Sequence, residues 1–260
     1  MDEALYRLHA EREETYWWWV GKNRIILSLV DRFATLHSTS APTALDIGCG
    51  AGGVLAKLAS PPRSFAALGI DMSPIAREYC AARGLTALDG SLPNALPPQV
   101  APNSYDVVVM SEVIEHVPED RASVHAVARL LKPGGLLVCT VPAHMWLWSS
   151  HDDFNFHQRR YTRAQFGSLF TSIPGVTLEQ LVLSYYQSAS LPLVVAGRLV
   201  EKLMTKLSGK PPPEPEVKPL PGPINWALTK AFAFERFLLP HMRLPWGTSV
   251  LSVHRRTMTP

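Results

Sequence analysis

From about residue 40 to Tyr186 the chain alternates short apolar runs with longer stretches whose apolar residues recur at helical spacing. The runs predict strands near Thr43–Ile47, Phe65–Ile70, Thr86–Leu88, Asp106–Met110 and Leu136–Val141, and a sixth within Leu178–Tyr185. Ser249–His254 alternates apolar and polar positions, as a last, antiparallel strand would. Strand and helix in turn predict an α/β fold: a Rossmann-like, seven-stranded, mostly parallel sheet with helices on both faces.

Ahead of the first strand, residues from about 3 to 37 read as helix. Ile25, Ile26, Leu29, Val30, Phe33 and Leu36 share one face, with Lys22, Arg24, Asp31 and Arg32 mostly on the other. The helix after the second strand is punctuated at both ends: Ser73 caps it, Pro74 fits its first position and Gly84 stops it. A later helix opens at Thr162, where Gln165 completes a capping box. The turn Lys132-Pro133-Gly134-Gly135 delivers the chain into the fifth strand.

Between the sixth and last strands lies an insertion with amphipathic stretches at Val194–Leu207 and Trp226–Leu239, joined by a proline-rich linker at Pro211–Pro223. In the first stretch Arg198, Glu201, Lys202 and Lys206 oppose Val195, Leu199, Leu203 and Leu207. The expected organisation is a helical lid over residues 1–38, a core of 39–186 with 248–257, and a helical insertion over 187–247.

An apolar content of 47% over 260 residues suffices for a packed core and argues against disorder. With 25 basic against 22 acidic residues there is no concentrated positive field, so no nucleic-acid partner is expected. No apolar stretch reaches the roughly 18 to 20 residues of a membrane span, and Arg198 breaks the best candidate. The acidic start Met1-Asp2-Glu3-Ala4 is unlike a secretory signal. Cys49, Cys80 and Cys139 show no metal-type spacing, which points to a reduced cytoplasmic setting and to no metal site.

Chemistry enters at Ala44-Leu45-Asp46-Ile47-Gly48-Cys49-Gly50-Ala51-Gly52-Gly53, a buried strand running into a glycine-dense turn and then a helix. Such a turn brings backbone close to a ligand and aims helix N–H groups at it. A glycine loop alone also fits dinucleotides. Asp46 separates the readings, because a carboxylate at the mouth of the loop repels a pyrophosphate and favours a cationic ligand. Asp71, at the end of the second strand, sits where an acid accepts both hydroxyls of a ribose, with Met72 beside it. Asp89-Gly90-Ser91, ending the third strand, could take a hydrogen bond from an adenine amino group.

These pieces, with Tyr105-Asp106-Val107-Val108-Val109-Met110-Ser111-Glu112-Val113-Ile114-Glu115-His116 and Leu131-Lys132-Pro133-Gly134-Gly135, make residues 40 to 145 resemble the class I, seven-stranded methyltransferases dependent on S-adenosylmethionine. The resemblance implies S-adenosylmethionine as cofactor. Its methionine part would lie on Gly48, Cys49, Gly50 and Gly52, its ribose on Asp71 and its adenine at Asp89 and Gly90, while Ser111, Glu112 and Val113 would line the path to the methyl group. Tyr16-Trp17-Trp18-Trp19, the segment from His151-Asp152 to His157-Gln158-Arg159-Arg160-Tyr161, and Leu244-Pro245-Trp246-Gly247-Thr248-Ser249 resemble bacterial methyltransferases of the broad type 11/12 group.

For the acceptor, His116 follows the fourth strand at the depth of a base, and the loop Trp148–Tyr161 crowds ionisable side chains after the fifth. Arg159 or Arg160 could hold the acceptor, with His157 or Asp152 as base, or else the arginines pair with nearby acids and Tyr161 packs over the cofactor. The expected acceptor is a small or lipid-linked molecule methylated at oxygen. The alternative is a catalytically silent S-adenosylmethionine-binding regulator or scaffold. The aromatic run at 16–19 reads as lid or packing in preference to a membrane belt. The amphipathic insertion either packs on its own domain or meets the inner face of a membrane through residues 190–240.

Overall fold

A computed structural model describes residues 3–35, 41–208 and 220–257. Its sheet contains β1 (Thr43–Ile47), β2 (Ala66–Ile70), β3 (Ala87–Leu88), β4 (Tyr105–Ser111), β5 (Leu131–Pro142), β6 (Leu178–Tyr186) and β7 (Ser249–Arg256). Their order is β3-β2-β1-β4-β5-β7-β6, with only β7 reversed against its neighbours. The chain therefore builds outward from β1 to β3, then crosses back to place β4 on the other side of β1. The crevice at that reversal is where open α/β sheets take their ligands, and the register sets Asp46 level with Gly69 of β2 and Val109 of β4.

Both faces are covered because successive side chains of a strand point to opposite sides. Ala44, Val107, Val109, Leu136, Val138, Leu251 and Val253 pack beneath α2 (Trp17–Phe33), α3 (Gly53–Ala59) and α9 (Gly222–Phe234). Their neighbours Leu45, Val108, Met110, Leu137 and Cys139 pack against α5 (Asp120–Leu130) and against Phe166 of α7 (Arg163–Ser168). Two predicted caps form as expected. The Ser73 hydroxyl accepts from Ala76 N at the start of α4 (Pro74–Ala82), and Thr162 with Gln165 closes the capping box of α7.

The amino-terminal helix departs from its prediction. It is two helices, α1 (Glu3–Arg12) and α2, broken by a turn, and α2 ends at Phe33; Leu36 lies outside the described residues. No side chain of its own caps α2. Asn225 of α9 accepts from Trp17 N at 2.9 Å and donates to Thr15 O at 2.8 Å, so the insertion fixes this helix start. Gly21 lets α9 approach, since a Cβ there would collide with the ring of Phe232. Held on both sides, α2 buries Lys22, which the helical pattern had placed on the solvent face. The aromatic run serves packing: Trp17 lies edge-on to Phe232 at 5.9 Å and Trp19 meets His9 of α1 at 5.0 Å.

In the insertion, α8 (Leu191–Ser208) and α9 appear where predicted, although Gly222 and Pro223, read as linker, form the first turn of α9. Residues 211–219 of the predicted linker lie outside the described residues.

His254 of β7 is buried and stacked on Phe170 at 4.1 Å, with neither ring nitrogen hydrogen-bonded. Burial lowers its pKa from 6.5 to about 3. The unfolded chain therefore binds a proton between those values that the folded chain refuses, and stability falls as pH drops below 6.5. This one group should cost about 2 kcal/mol at pH 5 relative to pH 7.5. In His254→Phe the loss of urea stability between pH 7.5 and 5 should shrink by that amount; an unchanged pH sensitivity would rule out His254 as a source.

Candidate active site

The three acids singled out in the sequence lie at the carboxyl ends of three adjacent strands, Asp46 within the last two residues of β1 and Asp71 and Asp89 just past β2 and β3. After β1 the chain turns through Gly48 (φ +67), Gly50 (φ +53) and Gly52 (φ +88), all left-handed conformations that side chains resist. Gly48 is required twice over, because a Cβ there would stand 2.5 Å from Cγ2 of Val113. The loop after β4, which carries Glu112 and Val113, thus lies directly on the glycine loop. Ser111 is tied to Thr140 by a 2.9 Å hydroxyl contact, and Glu112 adopts a strained φ of +57 with its N–H donating to Thr140 O.

Asp71 is buried, and its carboxylate accepts from Gly50 N and Ser73 N, each at 2.9 Å. One acid therefore ties the glycine loop to the start of α4. Met72 beside it is exposed. Asp89 is exposed and paired with Arg77 at 2.8 Å, and Gly90 is closely walled by Pro97, Ala95 and Ile70. Ser91 joins Ala95 in an isolated bridge. Asp46 is buried beneath the loop, and burial pushes its pKa up to about 7.

Sequence reasoning missed three residues of the amino-terminal helices. The Tyr6 hydroxyl donates to Asp71 at 3.3 Å, which places α1 across the position assigned to the ribose. Glu13 is buried, accepts from Gly53 N at the start of α3 at 3.1 Å and pairs with Arg83. Lys22 is buried with its ammonium 4.4 Å from the ring centre of Trp18. Burial lowers its pKa, against the attraction of Glu112, Glu115, Asp46 and Glu13. The signal that could have found Lys22 is its position one turn before Ile25 and Ile26, inside a helix whose neighbours are aromatic.

The acceptor-side residues converge from two loops. His116 ends a single 3₁₀ turn after β4 (Ile114–His116), and His157 follows α6 (Ser150–Phe154); their rings meet edge-on at 4.8 Å. Burial, then the neighbouring His157, lowers the pKa of His116 to about 4, so the imidazole is neutral at pH 7. His157 Nδ1 contacts Asp152 Oδ1 at 2.9 Å. Asp152 has no exposed surface and receives both arms of Arg160, at 2.7 and 3.0 Å. Burial opposes ionisation of Asp152, but the bonds from His157 and Arg160 outweigh it and hold the carboxyl well below the usual range.

Of the two readings of the arginines, pairing with nearby acids is the one realised: Arg160 binds Asp152, and Arg159 binds Asp120 at 3.0 Å. The Tyr161 hydroxyl also goes to Asp120 at 3.0 Å, with its ring packed on Phe166 in the core under α5.

The fold, the glycine loop and the acids at successive strand ends define the class I methyltransferases that use S-adenosylmethionine. The methyltransferase-domain family matches residues 18–191, more than half of the chain, and the chain belongs to that family. It is 37% identical over 109 residues to the ubiquinone biosynthesis O-methyltransferase of Methylococcus capsulatus, covering 40% of this chain and 45% of that protein. To the Pseudomonas paraeruginosa protein of the same name it is 31% identical over 137 residues, 51% of this chain and 57% of that one. The chain thus spans about half the length of the curated relatives it matches. The fold is shared with an S-adenosylmethionine-dependent methyltransferase from Thermotoga maritima (TM-score 0.55, 17% identity, 97% and 98% of the two chains). It is shared also with Haemonchus contortus phosphoethanolamine N-methyltransferase 2 in complex with S-adenosylmethionine (TM-score 0.52, 15% identity, 90% and 52%).

Proposed function

We propose that this chain moves the methyl group of S-adenosylmethionine to a hydroxyl of a lipid-linked small molecule that it meets at a membrane surface. The observation that carries this reading is α8. None of its residues is buried: Leu193, Leu199, Leu203, Met204 and Leu207 are all more than half exposed, with Arg198, Lys202 and Lys206 among them. A helix that packs on its own domain does not leave such a face in water, whereas an interfacial helix does. No helix among the described residues is long and apolar enough to cross a membrane. Trp226, Phe234, Phe237 and Trp246 add exposed aromatic rings from α9 and beyond.

The same helix adjoins the chemistry, because Glu201 accepts from Ser150 N at 2.9 Å, at the start of the α6 segment that carries Asp152 and leads to His157. An acceptor with a buried prenyl tail and a hydroxylated head would be delivered beside the two histidines. The ubiquinone names of the relatives fit an acceptor of that kind.

When bound, S-adenosylmethionine would supply the methyl group, which the acceptor oxygen would take as the carbon–sulfur bond breaks and S-adenosylhomocysteine leaves with the sulfur's lone pair restored. The hydroxyl proton is lost at the His116–His157 centre, with Asp152 and Arg160 as positioning residues for His157 and Tyr161 anchoring the loop. Asp46, the glycine loop, Asp71 and Asp89 would hold the cofactor, with the Lys22 ammonium available for its carboxylate.

The test is methylation of a catechol-headed prenyl acceptor presented in anionic vesicles. Product and S-adenosylhomocysteine should accumulate, and replacing Leu199, Leu203 and Leu207 together with serine should abolish vesicle co-sedimentation while sparing cofactor affinity. Cofactor binding without turnover on any hydroxylated aromatic acceptor would favour the silent scaffold instead.

A further inference from the structure

Two of the three cysteines meet beside the glycine loop. Cys49 lies in the loop between Gly48 and Gly50, and Cys80 sits in the last turn of α4, 31 residues further along the chain. Their sulfurs are 3.9 Å apart. The transfer of a methyl group uses neither thiol. The packing nonetheless makes room for both: a Cβ on Gly69 of β2 would stand 2.7 Å from the Cys49 sulfur, and one on Gly52 would stand 3.0 Å from the Cys80 sulfur. Leu55, Ala67, Leu85 and Ala87 close the pocket with apolar groups. Within it Cys80 Sγ donates to Gly50 O at 3.4 Å, so the two sulfurs and the loop backbone form one chain of contacts. Cys139 packs elsewhere, in the cluster under α5.

We propose that Cys49 and Cys80 are an oxidisable pair, which hydrogen peroxide converts into a disulfide that closes the glycine loop to the cofactor. This inference rests on the placement of the methionine part over that loop and is independent of the acceptor.

Cys49 keeps 7% of its surface exposed and Cys80 none, so a small oxidant reaches Cys49 first. The Cys49 sulfur attacks one peroxide oxygen, the oxygen–oxygen bond breaks, and a sulfenic acid forms with release of one water. The Cys80 sulfur then displaces the hydroxyl from Cys49, the sulfur–sulfur bond forms, and a second water leaves. Two thiols have lost two electrons and two protons, and one peroxide has become two waters.

Bonded sulfurs stand about 2.05 Å apart, so the pair closes from its 3.9 Å separation. Cys80 belongs to a helix capped by Ser73, whereas Cys49 is flanked by two glycines, and the loop is therefore the part that moves. Cys49 N donates to Ile70 O at 3.1 Å and Gly50 N to Asp71 at 2.9 Å. Drawing Cys49 toward α4 pulls on both bonds, so the loop N–H groups and Asp71 lose their alignment together. Coupling between two such events is reciprocal: whatever factor the disulfide takes from cofactor affinity, bound cofactor returns as easier reduction of the disulfide.

The experiment uses the full chain, reduced with dithiothreitol and desalted. After brief peroxide treatment, mass spectrometry of unreduced peptides should find Cys49 joined to Cys80. Diamide, which joins thiols without adding oxygen, should lower affinity for S-adenosylhomocysteine by about 10-fold in calorimetry, and dithiothreitol should restore it. In glutathione buffers, saturating S-adenosylhomocysteine should raise the reduction potential of the pair by about 30 mV, the same tenfold factor. Cys80→Ala, shown to be folded by its binding of S-adenosylhomocysteine when reduced, should keep its affinity after diamide, and Cys139→Ala should lose it as the native chain does. Thiols at 49 and 80 that stay open to alkylation after millimolar peroxide would overturn the proposal. So would a Cys49–Cys80 disulfide that leaves both affinity and potential unmoved. A reduced, folded chain that binds no S-adenosylhomocysteine would be a different failure, that of the cofactor placement itself, and the switch would go with it.

Discussion

Asp71→Ala should weaken S-adenosylhomocysteine binding by about 100-fold, the equivalent of roughly 3 kcal/mol for two charge-assisted hydrogen bonds to ribose hydroxyls. The side chain has a second duty that adds to the effect: it holds Gly50 N and Ser73 N, so its removal loosens the glycine loop and the start of α4 together. Calorimetry with S-adenosylhomocysteine reads the loss directly. Asp71→Asn keeps one acceptor oxygen and should recover part of it. A drop of less than about fivefold for the alanine variant would move the ribose elsewhere.

Arg160→Ala should have the opposite profile. Asp152 would be left as a carboxylate without exposed surface and without its cation, held by His157 and Ser149 alone, and breaking a buried pair in this way costs about 3–5 kcal/mol. Thermal unfolding should fall by about 10 °C. At a temperature where the variant is fully folded, its affinity for S-adenosylhomocysteine should be unchanged and kcat lower by roughly 100-fold, because His157 loses its fixed orientation. Arg160→Lys should rescue little, since a lysine cannot span both oxygens. Equal loss of cofactor affinity in the two variants, Asp71→Ala and Arg160→Ala, would defeat this division between a donor side and an acceptor side.

The sheet was legible because its signal is local. Val107 to Met110 alternate faces, the glycines after Ile47 announce a turn that only they can make, and Ser73, Thr162 and Gln165 cap the helices beside them. The acids singled out for the cofactor were legible by position for the same reason, since Asp46 is the penultimate residue of β1 while Asp71 and Asp89 directly follow β2 and β3. What escaped depends on partners distant in sequence. Lys22 looked solvated because nothing in its own helix shows that Phe232 and Asn225 arrive from more than 200 residues away. The arginines of the second loop could not be assigned from spacing, because their acids, Asp120 and Asp152, stand at very different distances before them in sequence and only the folded loop selects each pair. Glu115 is the sharpest case. In the sequence it stands only as the residue before His116 in the loop after the fourth strand, and the packing of two loops shows that both its oxygens are enclosed.

The reversed strand has a bearing on how the molecule is made. β5 and β6 do not touch each other in the sheet; β7 lies between them and pairs with both. Roughly sixty residues, α8 and α9 among them, are synthesised after β6 before that strand is available. During that interval the nascent chain carries two open strand edges beside an apolar helix, a combination that favours aggregation. Chaperone demand during translation should therefore be set by the length and greasiness of the insertion, and shortening it should raise the yield of folded protein.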